Sequence, residues 1–421
     1  MITQSYKLDK SRDIYVMYRE VFESLSSIPD LQPPFKANGN IIKDFESRIE
    51  IYLKVIDDIN NKNNNLIIKE VKKSIKSTKS LSEKIIETLR LYLNGNIREA
   101  YKIFDQAITH TRINDHIYNM TVPLSDFCHA SKPLFRVRKN DTIIKEREDI
   151  FHIPFPKRHL VGAQRYSVSG LPCLYLGTSI FVCWQEMEKP DFDKLYVSSF
   201  ISEVASSHRI LNIGYNLKSA LNKSPIDLWT ESDQEGSINR VISNLLAWPL
   251  VLACNYTKHH SNASFNVEYI IPNLLMQWIS GNDNKSIAGI AYRTTKILNQ
   301  KDSDIGINII MPPKIDNIAE TNLNFCPHLR SIFKFTKPVS WQVFSTLNLE
   351  PDGVDDYSPI AYKTSASTGS IDDFDESLVD YYKNTSFKKI QLLLQRMMKH
   401  DYLNECQHVS DKILNAQEKS R

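Results

Sequence analysis

Apolar residues recur at helical spacing through the first third of the chain. Over residues 41–60 they form one stripe, which predicts an amphipathic helix. The stripe consists of Ile41, Phe45, Ile49, Tyr52, Leu53, Ile56 and Ile59. A polar break, NNKNNN, follows, and the helical spacing returns over residues 80–93 and 97–108, on either side of Gly95. The pattern predicts a mostly helical region of about 120 residues that contains a helical hairpin.

From Leu134 onward the pattern changes to short runs rich in β-branched and aromatic residues, which are typical of strands. These runs are LFRVR, CLYLG, KLYVSSF, RILNIG, VEYIIP, IAGIAY and GINIIM, and SWQVFSTLNL predicts the last strand, which ends near Leu349. Residues 181–188 and 240–254 between them have helical spacing. The interleaving predicts a mixed α/β (α+β) fold and leaves open whether the strands are parallel or antiparallel.

The last 72 residues form a third kind of segment. Residues 350–377 are polar, acidic and poor in aliphatic side chains, which indicates a linker or an irregular surface segment. An amphipathic helix is predicted over residues 378–394, and it could dock on the body of the protein, which is the commoner use, or on a partner. We therefore divide the chain into a helical domain at 1–125, a mixed α/β domain at 126–349, and a linker with a helical tail at 350–421.

Charge and composition exclude some classes of partner. The 52 Lys and Arg residues nearly balance the 49 Asp and Glu residues, for a net charge of +3, so nothing points to a nucleic acid or an anionic membrane as partner. The basic run KEVKKSIKSTK lacks interleaved aromatic residues and is interpreted as a solvated helix face. No run of about 18 apolar residues exists, as a membrane helix requires, and the N-terminus lacks the apolar stretch of a secretory signal. We expect a cytoplasmic protein.

Common catalytic and metal-binding signatures are absent. The sequence has no Walker-type loop, no GxGxxG after a strand, no HExxH and no GxSxG. The six cysteines never form a CxxC pair, and scattered thiols suit core positions in a reducing compartment. Cys254 with His259 and His260, or Cys326 with His328, does not match the spacing of a zinc site. We expect no metal.

The stretch FHIPFPKRHLVGAQRYSVSGLPCLYLGTSIFVCWQEME carries the most information about chemistry. It contains an Arg-Tyr pair (Arg165 and Tyr166), a Gly-Leu-Pro turn, a strand with Tyr175 at its centre, and a helix with Glu186. Taken one at a time, these residues have ordinary explanations, because Glu186 would be a solvated helix charge and Arg165 a surface or ion-pair residue. Tyr175 alternates with two leucines and would simply face the other side of its strand.

In order and spacing, this stretch resembles the RES family of bacterial toxin enzymes, whose toxin–antitoxin pairs are of the RES–Xre type. The family pattern is an Arg before an aromatic residue, a Gly-x-Pro turn, LYL, and a Glu on the next helix. The matching residues are Arg165, Tyr166, Gly170, Pro172, Leu174, Tyr175, Leu176 and Glu186, with a second block at Tyr269, Pro272, Gly289, Tyr292, Gly306 and Asn308. With LFRVR as the first strand, the resemblance covers a little under 200 residues. The family's Ser falls where Thr294 stands, followed by Thr295; threonine keeps the hydroxyl, and which of the two replaces the Ser stays open.

The resemblance implies a fold similar to ADP-ribosyltransferases that binds NAD+ as substrate rather than cofactor and releases nicotinamide. The acceptor of the ADP-ribose would be water, phosphate as co-substrate, or a protein side chain. Glu186 would stabilise an oxocarbenium-like ribose, Arg165 would hold the pyrophosphate, and Thr294 would bond the carboxamide or a phosphate oxygen. Tyr166 or Tyr175 would stack on the nicotinamide or bond the ribose. Arg136 and Arg138 alternate with Val137 on a strand, so they share a face and could help to hold a phosphate.

The leading hypothesis is therefore an NAD+-consuming toxin or defence enzyme that acts inside a bacterial cell. Family members are neutralised by an antitoxin partner, and the extra N-terminal and C-terminal helices of this chain could contribute to regulation through oligomerisation. One alternative is a protein ADP-ribosyltransferase, which labelled NAD+ and lysate would distinguish. The other is a non-catalytic binding protein on a RES fold; the change from Ser to Thr favours it, and the retention of both Arg165 and Glu186 argues against it.

Overall fold

The computed structural model describes residues 2–62, 65–215, 217–221, 234–260, 263–281, 284, 286–296, 306–315, 323–346 and 382–400. Its helices are α1 (Ile2–Ser26), α2 (Ile41–Lys62), α3 (Leu66–Leu93), α4 (Ile97–Thr109), α5 (Thr111–Asn119), α6 (Ile180–Glu186), α7 (Leu217–Leu221), α8 (Gln234–Leu246), α9 (Trp248–Cys254), α10 (Ile270–Ser280), α11 (Pro327–Ile332), α12 (Trp341–Thr346) and α13 (residues 386–400). Its strands are β1 (Thr121–Pro123), β2 (Leu134–Lys139), β3 (Leu174–Gly177), β4 (Leu195–Ile201), β5 (Arg209–Asn212), β6 (Ile287–Arg293), β7 (Ile307–Met311), β8 (Lys334–Phe335) and β9 (Val339–Ser340).

The chain forms two compact units that alternate along the sequence. The first unit comprises Met1–Val122, His159–Leu171 and Arg209–Thr295, and the second comprises Pro123–Arg158, Pro172–His208 and Lys296–Arg421. Residues 209–295, which the sequence analysis assigns to the segment 126–349, thus cluster with the N-terminal helices. Each unit is described separately below.

The predicted N-terminal helices are confirmed, and their ends have clear causes. Asn65, the last residue of the polar break, caps α3 by accepting hydrogen bonds from the amides of Ile67 and Ile68. The first amides of a helix have no acceptor within it, so this cap provides one. Gly95 separates α3 from α4 with a φ of 81°, a left-handed conformation that glycine adopts readily. The helical hairpin is therefore present, and α3 begins well before residue 80, where the prediction placed it.

Long-range hydrogen bonds tie the N-terminal helices of the first unit to its later segments. The Tyr52 hydroxyl donates to the carbonyl oxygen of Leu245 over 2.6 Å, and the Thr78 hydroxyl donates to that of Leu246 over 2.9 Å. Both donors are buried, so these bonds satisfy groups that would otherwise be costly inside the unit. The unit also contains a parallel pair, β5 beside β6, with β1 next to β5.

The second unit is built on an antiparallel sheet. Its strand order is β7-β3-β2-β4-β8, and β9 also pairs with β4. Register places Val137 opposite Val197 and Tyr175 opposite Ile310. The mixed α/β (α+β) class predicted from the sequence is confirmed. The sequence left the strand direction open: β5 and β6 of the first unit are parallel, whereas the pairs of the second unit are antiparallel.

The predicted C-terminal amphipathic helix is α13, which packs within the second unit. Phe387, Ile390 and Leu394 lie at helical spacing and are buried against α6, β2, β4 and α12. The ring of Phe387 lies 5.8 Å from that of Phe181 on α6. The helix therefore docks on the body of the protein, as expected for an amphipathic helix, whereas the predicted linker at 350–377 lies outside the described residues.

Two predicted strands are wrong. VEYIIP forms a single 3₁₀ turn, Val267–Tyr269, followed by α10. The six residues alone are a short apolar run, which does not separate helix from strand. Pro272 lies in the first turn of α10, where a missing N–H is tolerated. SWQVFSTLNL is strand only to Ser340 and then forms α12; its residues beyond Thr346 lie outside the described residues.

Among the described residues, no helix combines the length and apolarity needed to cross a membrane. The same part of the chain also lacks any group of three or more His, Cys, Asp or Glu side chains placed to hold a metal ion.

Candidate functional site

Glu186 is the last residue of α6, and the start of that helix is closely packed against β3. Ser179 caps α6 by accepting a hydrogen bond from the amide of Val182 over 3.0 Å. At Gly177, the last residue of β3, an added Cβ would lie 2.6 Å from Cys183 Sγ and from Val182 Cγ1. Only glycine permits this approach, so the strand and the turn before α6 determine where the helix, and with it Glu186, lies.

The chain leaves α6 through two consecutive left-handed residues, Glu188 (φ 64°) and Lys189 (φ 53°). Their amides donate to the carbonyl oxygens of Gln185 and Trp184, over 3.0 Å and 3.1 Å, which is the bonding pattern of a Schellman helix end. That motif usually has glycine where Glu188 stands. A left-handed conformation costs a non-glycine residue about 1–2 kcal/mol, so the surrounding contacts must offset strain next to Glu186.

Two side chains hold Glu186 at this helix end. Asn308, which is buried on β7, donates from Nδ2 to Glu186 Oε1 over 2.8 Å. Lys296 Nζ donates to the main-chain carbonyls of Gln185 and Glu186, over 3.0 Å and 2.9 Å, where a cation also complements the helix dipole. The carboxylate is thus half-buried and held in one orientation by a neutral donor.

Arg136 and Tyr175 lie beside Glu186 in the same unit. Arg136 Nη1 donates to the main-chain oxygen of Tyr175 over 2.8 Å, while its buried Nε has no hydrogen-bond partner among the described residues. Burial, reinforced by the charge of Arg138, lowers the pKa of Arg136 to about 10. Burial raises the pKa of the Tyr175 hydroxyl, and so do Cys173 and Glu186, whereas Arg136 opposes the rise. We call Arg136, Tyr175, Cys183, Glu186, Lys296 and Asn308 the Glu186 cluster.

The two arginines on β2 have different partners. Arg138 Nη1 donates to the main-chain oxygen of Asp149, and Arg136 donates to β3. Their alternation along β2 is as predicted, but no acceptor common to both is found in the part of the chain that the structure describes. Arg136 acts to lower the pKa values of the Tyr175 hydroxyl and the Cys183 thiol, whereas Glu186 acts to raise both.

Arg165 organises a second cluster, within the first unit. It is 6% exposed and donates from Nη1 to the Cys254 carbonyl oxygen over 3.1 Å and from Nη2 to Thr295 Oγ1 over 3.0 Å. Its guanidinium carbon lies 5.0 Å from the centre of the Tyr269 ring, within the range of a cation–π contact. We call Arg165, Tyr166, Cys254, Tyr269, Tyr292, Thr294 and Thr295 the Arg165 cluster.

The remaining predicted residues of the Arg165 cluster are deeply buried. Tyr166 is fully buried with its ring centre 4.9 Å from that of Tyr292, and burial raises its pKa. Thr294 is 2% exposed, and the hydroxyl that accepts from Arg165 belongs to Thr295 instead. The contact between Arg165 and Thr295 was not predicted from the sequence, and which threonine replaces the family's Ser stays open.

Sequence reasoning missed part of each cluster. Asn308 was matched to the RES pattern without a role, and Lys296 was not considered, because a lysine that follows two threonines carries no local signal. The cysteines considered for zinc are buried thiols. Cys254 contributes its carbonyl oxygen to Arg165, and the amide of Cys326 donates to His152 Nε2 over 2.9 Å.

Comparison with known proteins shows similarity to a bacterial sequence. A Bacillus subtilis (strain 168) protein named "Putative toxin YopC" is 28% identical over 301 residues, which are 70% of this chain and 65% of that protein. The chain therefore spans about two thirds of the length of the relative it matches. The crystal structure of the M. tuberculosis MbcT–MbcA toxin–antitoxin complex aligns over 55% of this chain and 96% of that chain, at 9% identity with a TM-score of 0.24, which is too low to support any conclusion. No family model matches the sequence.

Proposed function

We propose that this protein cleaves the bond between nicotinamide and ribose in NAD+, with Glu186 as the catalytic carboxylate. The observation that carries the proposal is the half-buried Glu186 carboxylate at the end of α6, held by the Asn308 amide at 2.8 Å. A neutral donor orients the carboxylate and leaves its negative charge in place. That is the arrangement required next to a developing positive charge.

The chemistry needs little beyond such a group. The C1′–N bond breaks with its electron pair going to the nicotinamide ring, which leaves as a neutral molecule, so no strong general acid is required. The ribose carbon becomes oxocarbenium-like, and an oxygen of water or phosphate then forms the new bond and loses its proton to solvent. Glu186 would stabilise the cation by charge and by a hydrogen bond to a ribose hydroxyl.

For Arg165 we propose phosphate binding within the first unit, the role that the RES resemblance implies. Its bonds to Cys254 and Thr295 use two of the five N–H donors of the guanidinium, so donors remain for an anionic ligand. The half-buried Tyr269 ring, whose centre lies 5.0 Å from the guanidinium carbon, helps to hold its orientation.

The biological role that fits this chemistry is a toxin. The relative named as a toxin in Bacillus subtilis supports it, and depletion of NAD+ inside a bacterial cell would be the toxic effect. An antitoxin or other regulatory protein that restrains the activity is part of the same proposal.

The experiment uses the full chain with NAD+, with and without phosphate, and follows free nicotinamide by chromatography. Glu186→Gln keeps size and hydrogen bonding but removes the charge, and should lower the rate by about 100-fold or more, as the loss of one electrostatic contact to a transition state does. Glu188→Gln removes an exposed carboxylate two residues away and should stay within about twofold of wild type.

Either of two results would refute the proposal: no nicotinamide release by the wild type in any condition, or equal rates for wild type and Glu186→Gln. Dependence on phosphate would identify phosphorolysis. Label transferred from NAD+ to protein in a lysate would instead identify ADP-ribosyl transfer.

A further inference from the structure

A concave groove lies on the first unit where α3 meets the junction of α4 and α5. It has a volume of about 230 Å³ and is lined by Lys76, Ser77, Ser80, Leu81, Lys84, Ala107, His110 and Ile113. Its apolar members, Leu81, Ala107 and Ile113, are buried and form the floor. The rim is polar and carries positive charge.

The two rim lysines are not neutralised by neighbouring carboxylates. Within the described residues, Lys76 and Lys84 make no ion pair, whereas Lys72 pairs with Asp57 and Lys73 pairs with Glu70. Eight residues of helix separate Lys76 from Lys84, a rise of about 12 Å. Their flexible side chains are long enough for both ammonium groups to reach one ligand between them.

The helix that ends the groove adds to its positive potential. α5 begins at Thr111, and its N-cap residue, His110, makes no side-chain capping hydrogen bond. The first amides of a helix have no acceptor inside it, and its dipole favours negative charge at this end. The Ser77 and Ser80 hydroxyls lie on the same rim and can donate to phosphate oxygens.

We propose that this groove binds a phosphorylated small molecule of about the size of a sugar phosphate, with Lys76 and Lys84 holding the phosphate. The volume corresponds to about eight water molecules, which leaves room for a compact body on the apolar floor beside a phosphate group. The ligand is distinct from the proposed substrate of Glu186, so a test of this groove does not depend on whether the protein cleaves NAD+.

Calorimetric titration of the full chain tests the groove with three probes: ribose 5-phosphate, inorganic phosphate and ribose. Ribose 5-phosphate should bind with a Kd of about 1 mM or tighter, inorganic phosphate more weakly, and ribose not measurably. The double variant Lys76→Met, Lys84→Met should weaken binding of ribose 5-phosphate by about tenfold or more. Lys79→Met removes a lysine of α3 outside the groove and should stay within about twofold of wild type.

A second variant tests whether binding needs the open volume of the groove as well as its positive charge. Ser80→Phe fills the groove while all lysines remain, and because Ser80 is exposed on α3, folding should be unaffected. It should weaken ribose 5-phosphate binding as strongly as the double lysine variant. Three outcomes would overturn the site: no binding of ribose 5-phosphate up to about 20 mM, equal loss in Lys79→Met, or full binding by Ser80→Phe.

Discussion

Asn308 Nδ2 donates to Glu186 Oε1 over 2.8 Å, and the backbone of the second unit fixes both ends of this bond. Asn308 lies on β7 directly opposite Gly177 of β3, and Gly177 is followed within three residues by the first turn of α6. The strand pair thus determines where the amide lies, and the close approach at Gly177 determines where the carboxylate lies. The geometry of the carboxylate depends on the sheet rather than on a loop.

Asn308→Asp should alter the pH dependence of nicotinamide release. Two carboxylates at hydrogen-bond distance repel each other, so the pair retains a proton to higher pH than a single carboxylate does. The shared proton lies on Glu186 in part of the molecules, so on acidification the rate should begin to fall at a pH about one unit or more above that of the wild type.

Asn308→Ala is the control for that experiment, because it removes the hydrogen bond without adding a charge. It should lower the rate at all pH values and move the acid limb up by less than Asn308→Asp does, because the loss of a hydrogen bond to the carboxylate disfavours its charged form less than an added negative charge does. An acid limb at the wild-type position in both variants would show that residue 308 does not act on the carboxylate.

Lys296→Met should destabilise the second unit and slow nicotinamide release. It removes two charge-assisted hydrogen bonds to the carbonyls of Gln185 and Glu186 together with a favourable contact to the helix dipole. The expected loss in the free energy of unfolding is about 1–2 kcal/mol, measured by chemical denaturation. Lys296→Arg keeps the charge and the donors and should restore most of the stability and most of the rate of nicotinamide release. If Lys296→Arg were as unstable and as slow as Lys296→Met, this role of Lys296 would be contradicted.

The sequence predicted the elements whose pattern is unambiguous. The stripe from Ile41 to Ile59 lies in α2, and LFRVR and CLYLG are β2 and β3, because alternation and helical spacing differ clearly where one face is exposed. The pattern failed at VEYIIP, because a short apolar run is compatible with helix and strand; the helical spacing appears only further along, where the less buried Asn273 and Gln277 lie four residues apart. The spacing of apolar residues along the chain also cannot predict that residues 209–295 cluster with the N-terminal helices.

The two candidate clusters were predictable only in part for a related reason. The RES-like order of residues singled out Arg165 and Glu186, and both carry defined hydrogen-bond networks. Their partners come from distant segments, since Asn308 is 122 residues from Glu186 and Thr295 is 130 residues from Arg165. No local rule connects residues that far apart, so only the folded chain identifies them.

Arg165 and Thr295 should be energetically coupled. Thr295→Val leaves the buried Arg165 Nη2 without its hydroxyl partner, and Arg165→Lys cannot reach both Cys254 and Thr295 with one ammonium. Each single change should cost about 1–3 kcal/mol in the free energy of unfolding. A double-mutant cycle should then give a coupling of about 0.5–1.5 kcal/mol; strict additivity would show that the bond contributes nothing to stability.

His152 should make the protein less stable below neutral pH. The residue is fully buried; its Nδ1 donates to the Ile153 carbonyl and its Nε2 accepts from the Cys326 amide, so the neutral ring is the bonded form. Burial, followed by the charge of Arg136, lowers its pKa from 6.5 to about 4, against an opposing effect of the Ile153 hydrogen bond. Between those two values the unfolded chain binds the proton and the folded chain does not.

The free energy of unfolding should therefore fall as the pH drops from 6.5 to 4, by about 3 kcal/mol from this group, and this contribution should then level off. His152→Gln cannot take up the proton, so its stability should fall less steeply over that window in denaturation curves recorded at each pH. NMR of the imidazole in the folded wild-type protein provides a direct reading: the ring should remain neutral at pH 5. A ring that is protonated at pH 5, or equal slopes for the two proteins, would contradict a buried neutral histidine.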